Sequence, residues 1–409
     1  MAKVKITGHA SGSGVLTITA PNTSTDRTIT LPDSTGTILD ENSSLPAANI
    51  TGTLPAISGA SLTGVAGRRN MVINGAMQVA QRGTSSTSES YQTVDRFKTY
   101  KESCEQLAVT QTQSTESPNG FSNSFELNVG TAESSIEAND LYNIVTVFEG
   151  QNMQGTAFGT SDAKAMILSF WVRSSKTGTY AINFYNSDAT RNLTNTYAIS
   201  SANTWEYKTV SILPDTSSGF SNDANRSFDI QWILTAGSDF TSSNSSSAWS
   251  GVSNPRTAYG HTATWGSSTS DDFHLTGVQL ELGSVATDFE HRSYGEELAL
   301  CQRYYQKTTS SNVGGAYQNI AVCTRIGNTV FRGIIEFPVT MRTQPSFSST
   351  GNFQSLDGFT FSSVVAGDGP SLDRHGIQVF TSQNGSSGDS IIFRANNDAT
   401  AALIYDAEL

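Results

Sequence analysis

The chain has 409 residues, a formal net charge of −12 (36 acidic against 24 basic residues) and only 15% charged residues, with 35 Gly but 10 Pro. That length holds two or three domains with real cores. An excess of acids excludes nucleic acid and anionic membrane surfaces as natural partners, because both would repel it. Richness in Gly, Ser and Thr suits short strands joined by hydroxyl-bearing loops, so a mainly β fold is expected.

No apolar leader opens the chain, and no run approaches the roughly 18 apolar residues that cross a bilayer. Synthesis in a cytoplasm, without membrane insertion, is therefore expected. Cys104, Cys301 and Cys323 are odd in number and widely spaced, which argues against a disulfide framework or a CxxC metal site. They read as buried apolar residues with no chemistry of their own.

Residues 1–40 form a small β unit. In "VLTITAP" Ser13, Val15 and Thr17 face one way and Leu16, Ile18 and Ala20 the other, and "RTITLPDSTGTIL" repeats strand, turn and strand around Pro32-Asp33. So short a unit needs a partner to bury its face. Residues 41–67 contain two related segments, "LPAANITGT" from Leu45 and "LPAISGASLTG" from Leu54. This is either a flexible linker or an intertwined trimeric stalk, and the recurring Leu and Ile favour the stalk.

Residues 68–292 read as one large β-sandwich. An opening strand turns at Asn74-Gly75, and a Ser/Thr loop leads to Phe97 as an aromatic anchor. Further strands are "FSNSFELNVG", "AMILSFWVRSS", "GTYAINFYNS", "WEYKTVSIL", "SFDIQWILTAG" and the closing "DDFHLTGVQLELG". The nearly continuous apolar run of "MILSFWV" suits a central strand covered on both faces. Broken alternation at Thr276-Gly277 predicts a bulge in the closing strand. Residues 293–409 begin with a helix in "SYGEELALCQRYYQ", where Ser293 and Glu296 have capping-box spacing and Leu298, Cys301, Tyr304 and Tyr305 share a face. Strand patterns then return, as a smaller β tip domain.

Catalysis finds little support. His9, His261, His274, His291 and His375 lack metal-ligand spacing, and the pairs Asp271-Asp272 and Glu296-Glu297 point their carboxylates apart. Convergence of distant carboxylates stays open, as does calcium at Asp271-Asp272, though two solvated turn carboxylates are the simpler reading. No cofactor is called for. Trp171, Trp205 and Trp232 sit in strand patterns and read as core or edge packing. Trp249, Tyr259 and Trp265 lie in the polar, Gly-rich stretch "SSSAWSGVSNPRTAYGHTATWGSS". They are the candidate ligand-binding residues, because loop-borne rings can stack on sugar faces. Rings tucked onto the sandwich as loop anchors are the equal alternative.

Asn70, Asn74, Gly75, Met77, Val79, Gln81, Arg82, Gly83, Asp95 and Arg96 resemble the "N-(L/M)-(V/I)-x-N-G-x-M-x-V-x-Q-R-G … D-R" signature of bacteriophage tail fibres, particularly those of marine phages. "LTGVQLELGSVATDFEHRSYGEELALCQRYYQK", from Leu275 to Lys307, is similar to the closing strand and helix of that family. "ITAPNTSTDRTITLPDSTGTI" resembles its attachment-end repeat and "AANITGTLPAISGASLTGV" its stalk. The resemblance implies a jelly-roll sandwich like carbohydrate-binding modules, a homotrimer, and a place in the virion. It also implies an N-terminus docked on tail adaptor or tube proteins, and multivalent, non-catalytic recognition of a host polysaccharide or outer-membrane receptor. No long shaft is visible, so such a fibre is short. An enzymatic tail spike and a free sugar-binding protein are the alternatives; no β-helix repeats support the first, and the stalk-like segment opposes the second.

Overall fold

The pleat, which turns every second side chain inward, builds two six-stranded antiparallel sheets that face each other. The computed structural model describes residues 69–242, 248–252, 254, 256–309, 317–367 and 371–409. The expected N-terminal β unit (1–40) and stalk (41–67) lie outside the described residues.

Sheet A runs in the order β1 (Ser85–Ser86), β3 (Ala108–Ser114), β4 (Ser124–Thr131), β12 (Asp272–Leu282), β6 (Met166–Ser174), β9 (Glu206–Ile212). Sheet B has the order β11 (Ser250–Gly251), β8 (Arg191–Ile199), β7 (Gly178–Asn186), β10 (Arg226–Ala236), β5 (Leu141–Glu149), β2 (Phe97–Glu102). Every second residue of each strand enters the space between the sheets, as the two-residue period of the pleat requires. Phe125, Leu168, Phe170, Phe184, Ile230 and Trp232 are among the fully buried members of this core. The two-sheet sandwich expected from the strand patterns is present, and its antiparallel sheets are consistent with the jelly roll that the resemblance implies.

The closing strand β12 shifts register against β6 between Thr276 and Gln279, at the expected bulge. Gly277 takes the left-handed conformation there (φ 61°), which a Cβ would disfavour. The expected opening strand is corrected: residues 73–76 form a turn, and the flanking segments join no ladder. Two backbone bonds tie this segment to β12, Met71 N–H to Leu280 O and Val278 N–H to Gly75 O, both 2.9 Å. Asn70 replaces the missing ladder with its side chain. Its Nδ2 donates to Val278 O, and its Oδ1 accepts from Val72 N and Leu280 N. A Cβ at Gly75 would lie 2.1 Å from Val278 O, so only glycine fits.

The helix Tyr294–Gln302 starts with the expected capping box between Ser293 and Glu296. It stops earlier than its pattern suggested, so Tyr304 lies beyond it and Tyr305 opens strand β13 (Tyr305–Thr309). A second core follows. It lies between β13, β21 (Ala402–Asp406) and β16 (Ser346–Thr350) in one sheet, and a six-stranded sheet in the order β17 (Phe353–Ser355), β20 (Ser390–Ala395), β14 (Asn319–Arg325), β15 (Val330–Glu336), β19 (Arg374–Thr381), β18 (Phe361–Ala366).

Although their cores are separate, sandwich and tip belong to one compact unit. A polar clasp joins them. Arg82 lies over the Tyr305 ring, 3.6 Å from its centroid, and reaches Asp406 (3.0 Å) and Glu408 (3.4 Å). Arg96, almost fully buried, lies over Tyr304, pairs with Glu408 and donates to Val147 O. Glu149 accepts two bonds from Arg303, at 2.8 and 2.7 Å, and one from the Tyr304 hydroxyl. The Arg82 and Arg96 positions of the sequence signature therefore hold the architecture together.

Candidate functional site

Strand β6 explains where a binding surface arises. Met166, Leu168, Phe170 and Val172 point into the main core and are fully buried. By the pleat, Ile167, Ser169, Trp171 and Arg173 point away from it. Trp171 is half-buried and pairs across the ladder with Tyr207 of β9, which is 44% exposed. Their ring centroids are 5.4 Å apart at 50°.

The β12 bulge extends this pair into a strip. A Cβ at Gly277 would sit 2.7 Å from the Phe121 ring and 3.0 Å from that of Trp171. The missing side chain thus lets both rings close over the bulge. Phe121 in turn meets Phe289 edge-to-face at 5.0 Å, with His291 against both. The rings of Tyr207, Trp171, Phe121 and Phe289 cross the outer face of sheet A over β9, β6 and β12. Two strand spacings, about 10 Å, separate the first of these strands from the last.

Charged groups border the strip. Arg173, two residues beyond Trp171, is 3.1 Å from Glu116 and 2.9 Å from Asp272. Asp272 also accepts from Ser175 N. Burial opposes the charge of Asp272, yet His274 and Arg173 outweigh it and hold its pKa down at about 2. Beside it on the same face, His274 packs under the Trp205 ring and reaches Ser124 through Nδ1. Its buried Nε2 makes no hydrogen bond and lies 3.7 Å from Glu126 and 3.8 Å from Asp272. The result is a set of flat apolar faces beside hydrogen-bond acceptors. That combination suits a ligand with an apolar face and hydroxyl-bearing edges. A carboxylate kept ionised, as Asp272 is, has the wrong protonation state for a general acid.

The residues nominated from sequence lie elsewhere, and for two of them the expectation is corrected. Trp265 has no exposed surface; its Nε1–H donates to Asp272 O (3.0 Å) and its ring packs on Tyr142. Trp249 is 7% exposed, donates to Leu213 O (2.7 Å) and meets Phe158 edge-on. Each indole gains more from core contact plus a carbonyl partner than from solvent. Tyr259 alone of the three is exposed, at 45%. Trp232 is core, while Trp171 and Trp205 are half-buried.

The segment 256–263 lies across the outer face of sheet B. Thr257 is hydrogen-bonded to Asn183 and Asn192, Ala258 packs with Leu141, Ala181, Ile233 and Phe240, and His261 Nδ1 accepts from Ala181 N. Burial lowers the His261 pKa to about 4.

Protein donors already serve Asp271 and Asp272. Asp271 accepts from Gly266 N and Ser268 N and is 3.5 Å from Lys176. Among the described residues no group of three or more His, Cys, Asp or Glu is placed to hold a metal ion. All three cysteines are buried and unpaired, and burial pushes the Cys104 and Cys323 thiols up to about 12.

No protein-family model matches the chain, and no curated protein is significantly similar to it. Among solved structures, the enzymatically active domain of tailspike protein 4 from bacteriophage CBA120 overlaps with 12% identity and a TM-score of 0.28, over 52% of this chain and 21% of that one. This chain thus matches about a fifth of the tailspike domain. The family 11 carbohydrate-binding module of cellulase Lic26A-Cel5E from Clostridium thermocellum overlaps with 10% identity and a TM-score of 0.24, over 51% and 98%. The module TmCBM61, in complex with β-1,4-galactotriose, shows 8% identity and a TM-score of 0.28, over 53% and 100%. All three scores are low, and the overlaps assign no function to this chain.

Proposed function

We propose that the chain is a non-catalytic attachment protein of the bacteriophage tail-fibre kind, whose sandwich recognises host-surface carbohydrate through the strip Tyr207–Trp171–Phe121–Phe289. The observation that carries this reading is the Trp171–Tyr207 pair, held rigidly across a ladder on an open sheet face. Rings on strands present area to a ligand with little ordering cost. The resemblance of the 70–96 and 275–307 segments to tail fibres supplies the setting: a homotrimer in the virion, joined to the tail through its N-terminal residues. Three strips on one body would raise weak single contacts to useful avidity.

Two measurements test the proposal. The full-length protein should scatter light as three times its 43.6 kDa chain; a value at the single-chain mass removes the trimer. The double variant Trp171→Ala/Tyr207→Ala should keep the wild-type circular dichroism but lose adsorption to susceptible cells. Undiminished adsorption would take the strip out of recognition.

A further inference from the structure

The strip has a chemical bias that narrows its ligand. We infer that it takes an uncharged saccharide chain and rejects acidic polysaccharides; this rests on the proposed role of the strip in carbohydrate recognition.

Three features point the same way. First, the guanidinium beside the rings already has carboxylate partners: Arg173 is shared by Glu116 and Asp272. A guanidinium between two carboxylates has no fork to offer a third.

Second, the border is rich in acceptors. Glu116 is 52% exposed in its side chain, Asp272 22% and Glu126 20%, so all three reach solvent beside the strip. Ionised carboxylates only accept hydrogen bonds, which suits a sugar hydroxyl, a donor. A uronate carboxylate or a phosphate brings no donor and adds a like charge, which carries an electrostatic cost.

Third, the ring faces themselves carry the negative lobe of the aromatic quadrupole and disfavour an anion laid on them. A neutral pyranose avoids all three penalties and still covers the rings with its apolar face.

Affinity electrophoresis of the full-length protein tests this. The gels would contain a mannan, a β-glucan or a galactan, and in parallel the carboxymethylated form of each. In about 10 mM salt, where charges act over roughly 30 Å, at least one neutral polymer should retard the protein. Its carboxymethylated form should bind about tenfold more weakly. The gap should shrink at about 1 M salt, and in the double variant Glu116→Gln/Glu126→Gln, which removes exposed carboxylates. Tyr207→Ala, at an exposed ring, should cut retardation by the neutral polymer about tenfold with an unchanged melting temperature.

Equal or stronger binding of the carboxymethylated form at low salt overturns the charge inference and leaves the saccharide reading standing. Retardation that survives Tyr207→Ala and Trp171→Ala places the site elsewhere and overturns both. Silence of every polymer, neutral and acidic, overturns the underlying carbohydrate reading itself.

Discussion

On sheet B, Asn183, Thr194 and Gln231 point away from the main core yet have almost no exposure; on sheet A, Trp171 and Tyr207 hold the equivalent outward positions and keep theirs. The usual expectation is inverted: amides are hidden and rings are displayed. The pleat sets only the direction of a side chain. Its contact with water depends on the connections that cross the sheet. Residues 256–263 cross sheet B, where the Thr257 hydroxyl joins Asn183, Asn192 and Thr194 in a buried hydrogen-bonded group. Such a group is tolerated inside because its members satisfy one another. On sheet A the loop after β12 stops at Phe289 and adds to the rings without covering them.

Substitutions on the two faces should therefore divide into losses of stability and losses of binding. Trp265→Ala should be the most damaging, at about 3–5 kcal/mol, because it opens a cavity in the core; chemical denaturation reads this directly. Were it to abolish binding at unchanged stability, the closed side would be functional after all.

The next effect depends on pH. Burial holds the pKa of His261 at about 4 in the folded state, against the ordinary 6.5 of a histidine, so between these limits the unfolded chain binds the extra proton. Its contribution is complete above pH 6.5 and is lost as pH falls towards 4, by about 3 kcal/mol at 1.36 kcal/mol per unit. Asp95 acts oppositely, since burial raises its pKa from 3.8 to about 6 and the folded state binds its proton first. The clean measurement is hence a difference: His261→Asn should flatten the acid limb of the denaturation midpoint relative to wild type.

Thr257→Val should follow at about 1–3 kcal/mol, through loss of the hydroxyl shared by Asn183 and Asn192. Tyr207→Ala should change stability least, within about 0.5 kcal/mol, which would sharpen the contrast if binding falls at the same time.

Much of this division can be seen in the strand alphabet, and part of it cannot. The bulge at Thr276-Gly277 and the capping box at Ser293-Glu296 are local, so their residues alone reveal them. Parity would also have placed Trp171 outside, since it is out of phase with Leu168, Phe170 and Val172. The nearly continuous apolar run masked this, because Ile167 is buried too although it faces outward. Strand β8 is easily overlooked, since "RNLTNTYAI" carries the polar residues that sheet B later buries. Trp249 and Trp265 mislead for the converse reason. Composition marks their stretch as a polar loop, but whether a loop returns its large rings to the core is a tertiary matter. Gly260 and Gly266, both at positive φ, are the places where the chain bends to do so.

The clasp between sandwich and tip has a consequence for the order of events at the ribosome. Arg82 reaches Glu408 across 326 positions of sequence, and β21, from residue 402 onward, is the middle strand of its three-stranded sheet. A nascent chain can assemble the strands of the sandwich well before it owns Asp406 and Glu408, the tip's acidic partners of Arg82 and Arg96. Until then two arginines at its surface remain without Glu408, in a chain that is otherwise acidic. Contacts so distant in sequence form late and slowly. The ionic closure between sandwich and tip thus waits until residues 402–408 have emerged.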